Sequence, residues 1–207
     1  MPSTTNERNR TPEPPKGAAT VPDRTYPPGP GGWTSDAMDS LPPDAPRHVE
    51  LIDGDLVFEM TPRRSFHSRV RGRLWRALDE HAPPGVTVEA GMSVKLGPRD
   101  RPEPDIVAAG TAFDADRTYH LAADVLLAVE IVSEESEERD RETKPLKYAK
   151  AGIPHFRRIE EENGMPVVHV FELEPTTGTY VATGVERVRL ESLVPFAIDI
   201  ELASLVR

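Results

Sequence analysis

A chain of 207 residues, 37% of them hydrophobic, has room for one domain and a tail, and a net charge of −10 is the wrong sign for avid, non-specific nucleic-acid binding. It has no cysteine, which excludes disulfides and cysteine-bound zinc and suits a reducing cytoplasm. The N-terminus carries no apolar leader and no run approaches about 18 apolar residues, so neither secretion nor membrane insertion is expected.

Eleven of the 22 prolines fall in residues 1–47, with Thr11-Pro-Glu-Pro-Pro and Tyr26-Pro-Pro-Gly-Pro-Gly-Gly among them. Such a composition cannot bury enough apolar surface to repay chain ordering, so residues 1–32 read as a disordered tail and 33–207 as one domain. Residues 33–41 look like a short helix capped by Thr34 or Ser35 and stopped by Pro42-Pro43. Two alternating runs over 49–60 meet at Asp53-Gly54, a strong hairpin signal. Residues 67–81 place Val70, Leu74, Ala77 and Leu78 at helical spacing, with arginines on the other side.

Strands are then expected at 86–96 and 105–109, a loop over 111–123, and an apolar strand at 125–132. A helix over 137–151 ends at Gly152 with Pro154 beyond it. A strand at 153–159, a hairpin of 166–173 with 179–183, and two short strands finish the chain. There is no internal repeat. This order predicts an α/β (α+β) fold, a mixed β-sheet flanked by helices with β-hairpins added at both ends.

The strand at 125–132 contains an acid. Alternation puts Leu126, Ala128, Glu130 and Val132 on one face and Leu127, Val129 and Ile131 on the other, and both faces are otherwise apolar. An unpaired carboxylate buried there costs several kcal/mol, which calls for a partner cation or a raised pKa. Asp105 opens a second short strand after Pro104, and if the two strands are neighbours the carboxylates can converge. Two oxygen ligands plus water is a set that Mg²⁺ prefers. For either acid alone, an arginine or a backbone N–H is the simpler partner. Lys144 adds weight, because Asp140, Lys144, Lys147 and Ala151 share one helical face. The other charges of 134–150 read as a solvated helix surface.

Pro104-Asp105, Glu130 in Val-Glu-Ile-Val-Ser, and Arg139-Asp-Arg-Glu-Thr-Lys144 with Tyr148-Ala-Lys-Ala-Gly-Ile-Pro together resemble the Uma-type restriction endonuclease family of the PD-(D/E)XK nuclease superfamily. Trp33-Thr, Glu50-Leu-Ile-Asp-Gly-Asp-Leu and His67 extend the resemblance over about residues 33–200. It implies a restriction-endonuclease-like fold and a DNA endonuclease dependent on Mg²⁺ or Mn²⁺. Asp105 and Glu130 would hold the metal, and Lys144 would orient the attacking water or stabilise the transition-state charge.

Two departures stand out. The superfamily's lysine lies two residues after the acid, where this chain has Val132, and Lys144 (less favourably Lys147) takes its place from the next helix. Arg157 stands where the family usually has tryptophan, a change expected to affect packing more than chemistry. Glu50, His67 and Asp140 are accessory candidates, with Asp140 holding Lys144 or capping its helix. For Glu50 a strand-edge charge, and for His67 a helix-start residue bonded to backbone, are equal alternatives. Glu103 and Glu89 are expected to be solvent-exposed, and Ser133 to begin a turn rather than act as a nucleophile. His48, His81, His120, His155 and His169 form no metal-ligand spacing. DNA is the expected substrate, and a homodimer would cut both strands. The competing reading is a catalytically inactive nuclease-fold module that binds nucleic acid or protein.

Overall fold

The computed structural model describes residues 31–42, 45–46, 48–58 and 61–207. Residues 1–30 of the expected tail, and the last two residues of the expected 49–60 hairpin, lie outside them. The first hairpin joins β1 (Val49–Ile52) to β2 (Asp55–Phe58) in the register Val49↔Phe58 and Ile52↔Asp55. Its turn puts Asp53 at φ 54 and Gly54 at φ 86, the left-handed pair that an Asp-Gly turn supplies. The expected helix at 33–41 is only a 3-10 turn, Ala37–Ser40, with Asp36 at its N-cap position; the Thr34 hydroxyl accepts the Ala37 N–H at 3.3 Å.

Helix α1 (Ser65–His81) buries His67, Val70, Leu74 and Leu78 along one stripe. The strand expected over 86–96 is in fact two, β3 (Thr87–Ala90) and β4 (Ser93–Lys95). Gly91 breaks it at φ 65, and a Cβ there would collide with the Arg71 guanidinium. Beyond this kink, β4 leaves the main sheet and pairs in parallel with β6 (Tyr119–Leu121), which lies inside the expected loop.

The central sheet also contains β5 (Ile106–Ala109), β7 (Val125–Ile131), β8 (His155–Glu162), β9 (Met165–Glu174) and β10 (Thr179–Glu186), in the order β10-β9-β8-β7-β5-β3. β7 and β8 run parallel, and the connection between them carries helix α2 (Lys144–Lys150). The helical path starts at Glu137, as expected, and from Arg139 to Thr143 it passes through a wide π turn. Pro145, two residues beyond Thr143, has no N–H with which to close a normal turn. The β8–β9 hairpin turns at Asn163-Gly164 (φ 52 and 79), a signal absent from the expected boundaries. β11 (Arg189–Ser192) and β12 (Ile198–Glu201) form the closing hairpin.

The sheet separates two cores. Leu127, Val129 and Ile131 of β7 meet Val70, Leu74 and Leu78 of α1 on one face. Ala128 meets Tyr148, Ile153 and Phe156 on the other, the face toward which Glu130 also points. The architecture is the mixed sheet with flanking helices and terminal hairpins that the sequence predicts.

Candidate active site

Strand β7 carries Glu130 to its C-terminal end, where only 1% of the residue is exposed. One α2 turn apart, Lys144 and Tyr148 face it: the Tyr148 hydroxyl donates to Glu130 Oε1 at 2.6 Å, and Lys144 Nζ lies 3.2 Å from the same oxygen. Lys144 Nζ also lies 3.1 Å from Asp140 Oδ1, the i−4 residue, and 2.9 Å from Glu50 Oε1. Glu50 arrives from far away in sequence. Leu51 and Arg101 exchange backbone hydrogen bonds of 3.1 and 2.8 Å, which clamp β1 onto the segment before β5, and Glu50 Oε1 accepts the Glu103 N–H at 2.9 Å.

One ammonium thus sits among three buried carboxylates. Burial drives the pKa of Glu130 well above the usual carboxylate range; Lys144 opposes this, while Asp140, Asp105 and Glu50 reinforce it. Burial also raises Asp140. Lys144 moves well above its ordinary value, because Glu130, Glu50 and Asp140 together outweigh the burial that would lower it. Tyr148 is pushed well up by burial and then by the neighbouring carboxylates.

Asp105 belongs to the same end of the sheet and is held differently. The pairing Ile106↔Val129 and Val107↔Ala128, continued by one residue, sets Asp105 opposite Glu130. Its Oδ2 accepts the Ile131 N–H at 2.8 Å. His67 Nε2 lies 3.2 Å from that oxygen, and Arg63 Nη1 reaches Oδ1 at 3.3 Å. Arg71 Nε donates to the Asp105 carbonyl at 3.1 Å. Burial by itself would raise this carboxyl, but the hydrogen bond and charge of His67, the Ile131 N–H and Arg63 outweigh it and hold Asp105 below its ordinary value. Asp105 therefore has the arginine and backbone N–H of the simple account together with His67, whereas Glu130 has a lysine and a tyrosine.

Among the described residues no three Asp, Glu or His side chains close round one point as a ready cage for an ion. The donor set is all oxygen and carries excess negative charge. Glu50 Oε2 is buried without a hydrogen-bond partner, with Arg139 Nε 3.9 Å away. Such a set suits a hard divalent cation, which needs only one or two carboxylates when water and a substrate phosphate complete its shell.

A family model described as Uma2, "Putative restriction endonuclease", matches residues 35–203. The chain belongs to the Uma2 family. Its fold is similar to that of a protein from Anabaena variabilis ATCC 29413, titled a putative nuclease belonging to DUF820. The match has a TM-score of 0.61 and 17% identity and covers 84% of this chain and 97% of that one. No curated protein matches the chain.

Within this Uma2 chain the structure brings Glu50, Glu130, Asp140 and Lys144 into one cluster and sets Asp105 and His67 beside it. Lys147 lies outside the cluster: its Nζ binds Asp53 Oδ1 at 2.6 Å and Asp100 Oδ1 at 2.8 Å, tying α2 to the first hairpin. Glu103 and Glu89 are not solvent-exposed as expected, because histidines hold them. His48 Nδ1 is 2.8 Å from Glu103, and His120 Nε2 is 2.5 Å from Glu89. Ser133 and Ser136 bond one another across the turn before α2, with hydroxyls 2.9 Å apart.

Val132, two residues after Glu130, gives its N–H to Ile159 O and brings no cation to the end of the strand. Arg157 is buried on β8, donating to the Phe156, Phe171 and Val194 carbonyls, and burial lowers its pKa to about 10. Sequence reasoning assigned no role to Tyr148, Arg63 or Arg71. Tyr148 was within reach, standing four residues after Lys144 on the same helical face. Arg63 and Arg71 reach Asp105 only through the placement of α1.

Proposed function

We propose that this Uma2 member is an endonuclease, dependent on Mg²⁺ or Mn²⁺, that hydrolyses DNA phosphodiester bonds, with Asp105, Glu130 and Lys144 as its catalytic residues. The observation that carries this reading is the buried Lys144–Glu130 contact at the end of β7, with Asp105 opposite in register. A buried cation with more carboxylates than it can neutralise is costly to keep for stability alone. Perturbed carboxylates gathered at one sheet end are a usual mark of a site.

Asp105 and Glu130 are the residues to hold the metal, which when bound would polarise the phosphoryl oxygen and make water a better nucleophile. This chain's own residues do the rest. His67, Arg63 and the Ile131 N–H fix the Asp105 carboxylate, and Tyr148 fixes one oxygen of Glu130. Asp140 and Glu50 hold the Lys144 ammonium within reach of Glu130, where it offers a positive charge to the developing phosphorane. Cutting both strands would call on a homodimer, and we place the activity in the cytoplasm; no helix among the described residues is long and apolar enough to cross a membrane.

The test is cleavage of supercoiled plasmid with Mg²⁺ or Mn²⁺, expected for the wild type and lost in Glu130→Ala and Lys144→Ala. Calorimetry with Mn²⁺ should show a binding heat that Asp105→Ala removes. Wild-type protein that cuts neither DNA nor RNA across metals and salts, and binds no Mn²⁺, would make the inactive module the correct reading.

A further inference from the structure

Beside the acidic cluster lies a cavity of about 360 Å³ between the segment leading into α1 and the turn leading into α2. Two of its walls, Arg63 and His67, are the side chains that hold Asp105, so any occupant is a neighbour of the reacting centre. Arg64 and Arg139 add two more cations to its lining. The 17-residue helix α1 also begins here, with no side-chain cap and no acid in its first turn. His67, 7% exposed, has an Nδ1 without a hydrogen-bond partner. The remaining surface includes Pro62, Phe66 and Val132, which are apolar.

Three glutamates, Glu134, Glu135 and Glu161, line the cavity too, as many as its arginines. Glu161 pairs with Arg64 at 3.1 Å, and Glu135 accepts the Thr61 N–H at 3.1 Å, latching the two segments together. Cationic and apolar side chains that share one space of small-ligand size match a group with an anionic head and a flat apolar body.

We propose that this cavity seats the nucleotide next to the phosphodiester being cut. Its phosphate faces Arg63, Arg64, Arg139 and the start of α1, and its sugar and base lie against Pro62, Phe66 and Val132. This rests on the nuclease reading and adds to it the anchor that positions the strand. It also gives a protein of net charge −10 a local contact with a polyanion, through arginines such as Arg64 that would exchange a carboxylate partner for phosphate.

The experiment is fluorescence anisotropy of a labelled DNA duplex in Ca²⁺ over a series of salt concentrations, with plasmid cleavage run in parallel. Arg64→Gln and Arg139→Gln should each weaken binding and lower the slope of log affinity against log salt by about one, as loss of one phosphate contact does. Arg189→Gln, whose native partner is Asp199 on the closing hairpin, should leave the slope unchanged. Arg64 is largely exposed, so its variant keeps the test valid if Arg139→Gln fails to fold. Wild-type slope and affinity in Arg64→Gln, with binding and cleavage intact in the wild type, would overturn the seat and leave the nuclease reading standing. No binding and no cleavage by the wild type would overturn both.

Discussion

The two faces of β7 are built from neighbouring residues and serve opposite ends. On one, Leu127, Val129 and Ile131 close against α1 with no polar atom among their side chains. On the other, Ala128 gives way to Glu130, which meets Tyr148 and Lys144 rather than another aliphatic side chain. The apolar face lowers the free energy of the fold in proportion to the area it removes from water. The polar face keeps three carboxylates near one ammonium, an arrangement that apolar residues of the same volume would match or better in stability. Residues on the first face are replaceable by similar shapes, whereas those on the second depend on each other's charge.

That contrast can be broken most severely at Lys144. Lys144→Ala leaves Glu50, Glu130 and Asp140 buried without their cation, and should cost about 3–5 kcal/mol in urea unfolding as well as all cleavage. Leu127→Ala, on the apolar face, should cost about 2–4 kcal/mol through lost burial and a cavity, yet retain cleavage in proportion to the folded fraction. A smaller loss is expected from Tyr148→Phe: about 1–2 kcal/mol in the same melts, with a larger fractional loss of cleavage, since Glu130 loses its hydrogen-bond donor.

pH separates the two acids. In a metal-free chelating buffer, Glu130, raised by burial, contributes stability that is complete below the ordinary carboxylate pKa and lost as pH rises through its higher folded value. Asp105, lowered by His67, Ile131 N–H and Arg63 against its burial, contributes stability present above the ordinary carboxylate pKa and lost as pH falls through its folded value. Thermal melts should therefore show Glu130→Gln removing the decline toward alkaline pH, and Asp105→Asn removing part of the acid-side loss. Identical pH profiles in the two variants would contradict the opposite environments assigned here. The smallest effect belongs to Lys147→Ala, whose solvent-screened pairs with Asp53 and Asp100 should be worth at most about 1 kcal/mol, with cleavage maintained.

Much of this site was legible before the fold. Glu130 stands out because an acid inside an apolar alternation has few explanations, and Lys144 because it shares a helical face with Asp140. Asp53-Gly54 marks its turn, and Asn163-Gly164 carries the same signal at the turn between β8 and β9. The split at Gly91 was hidden, since the residues on either side of it both read as strand, and the space a side chain there would need is filled by Arg71, from another element. Glu103 and Glu89 read as exposed because their histidine partners are 55 and 31 residues away.

By itself, the sequence determined the pieces whose physics is local: the stripe of α1, the apolar run of β7 with its embedded acid, the lysine-bearing helix, and the motifs of the Uma2 family. Tertiary structure decided which charges meet. Glu50 joins Lys144 only because Leu51 and Arg101 bridge distant backbone, and Asp105 gains its cations only because α1 lies over the end of β5. Periodicity reports which face a side chain takes and carries no information about what stands opposite; the energies of buried charges depend almost wholly on what stands opposite.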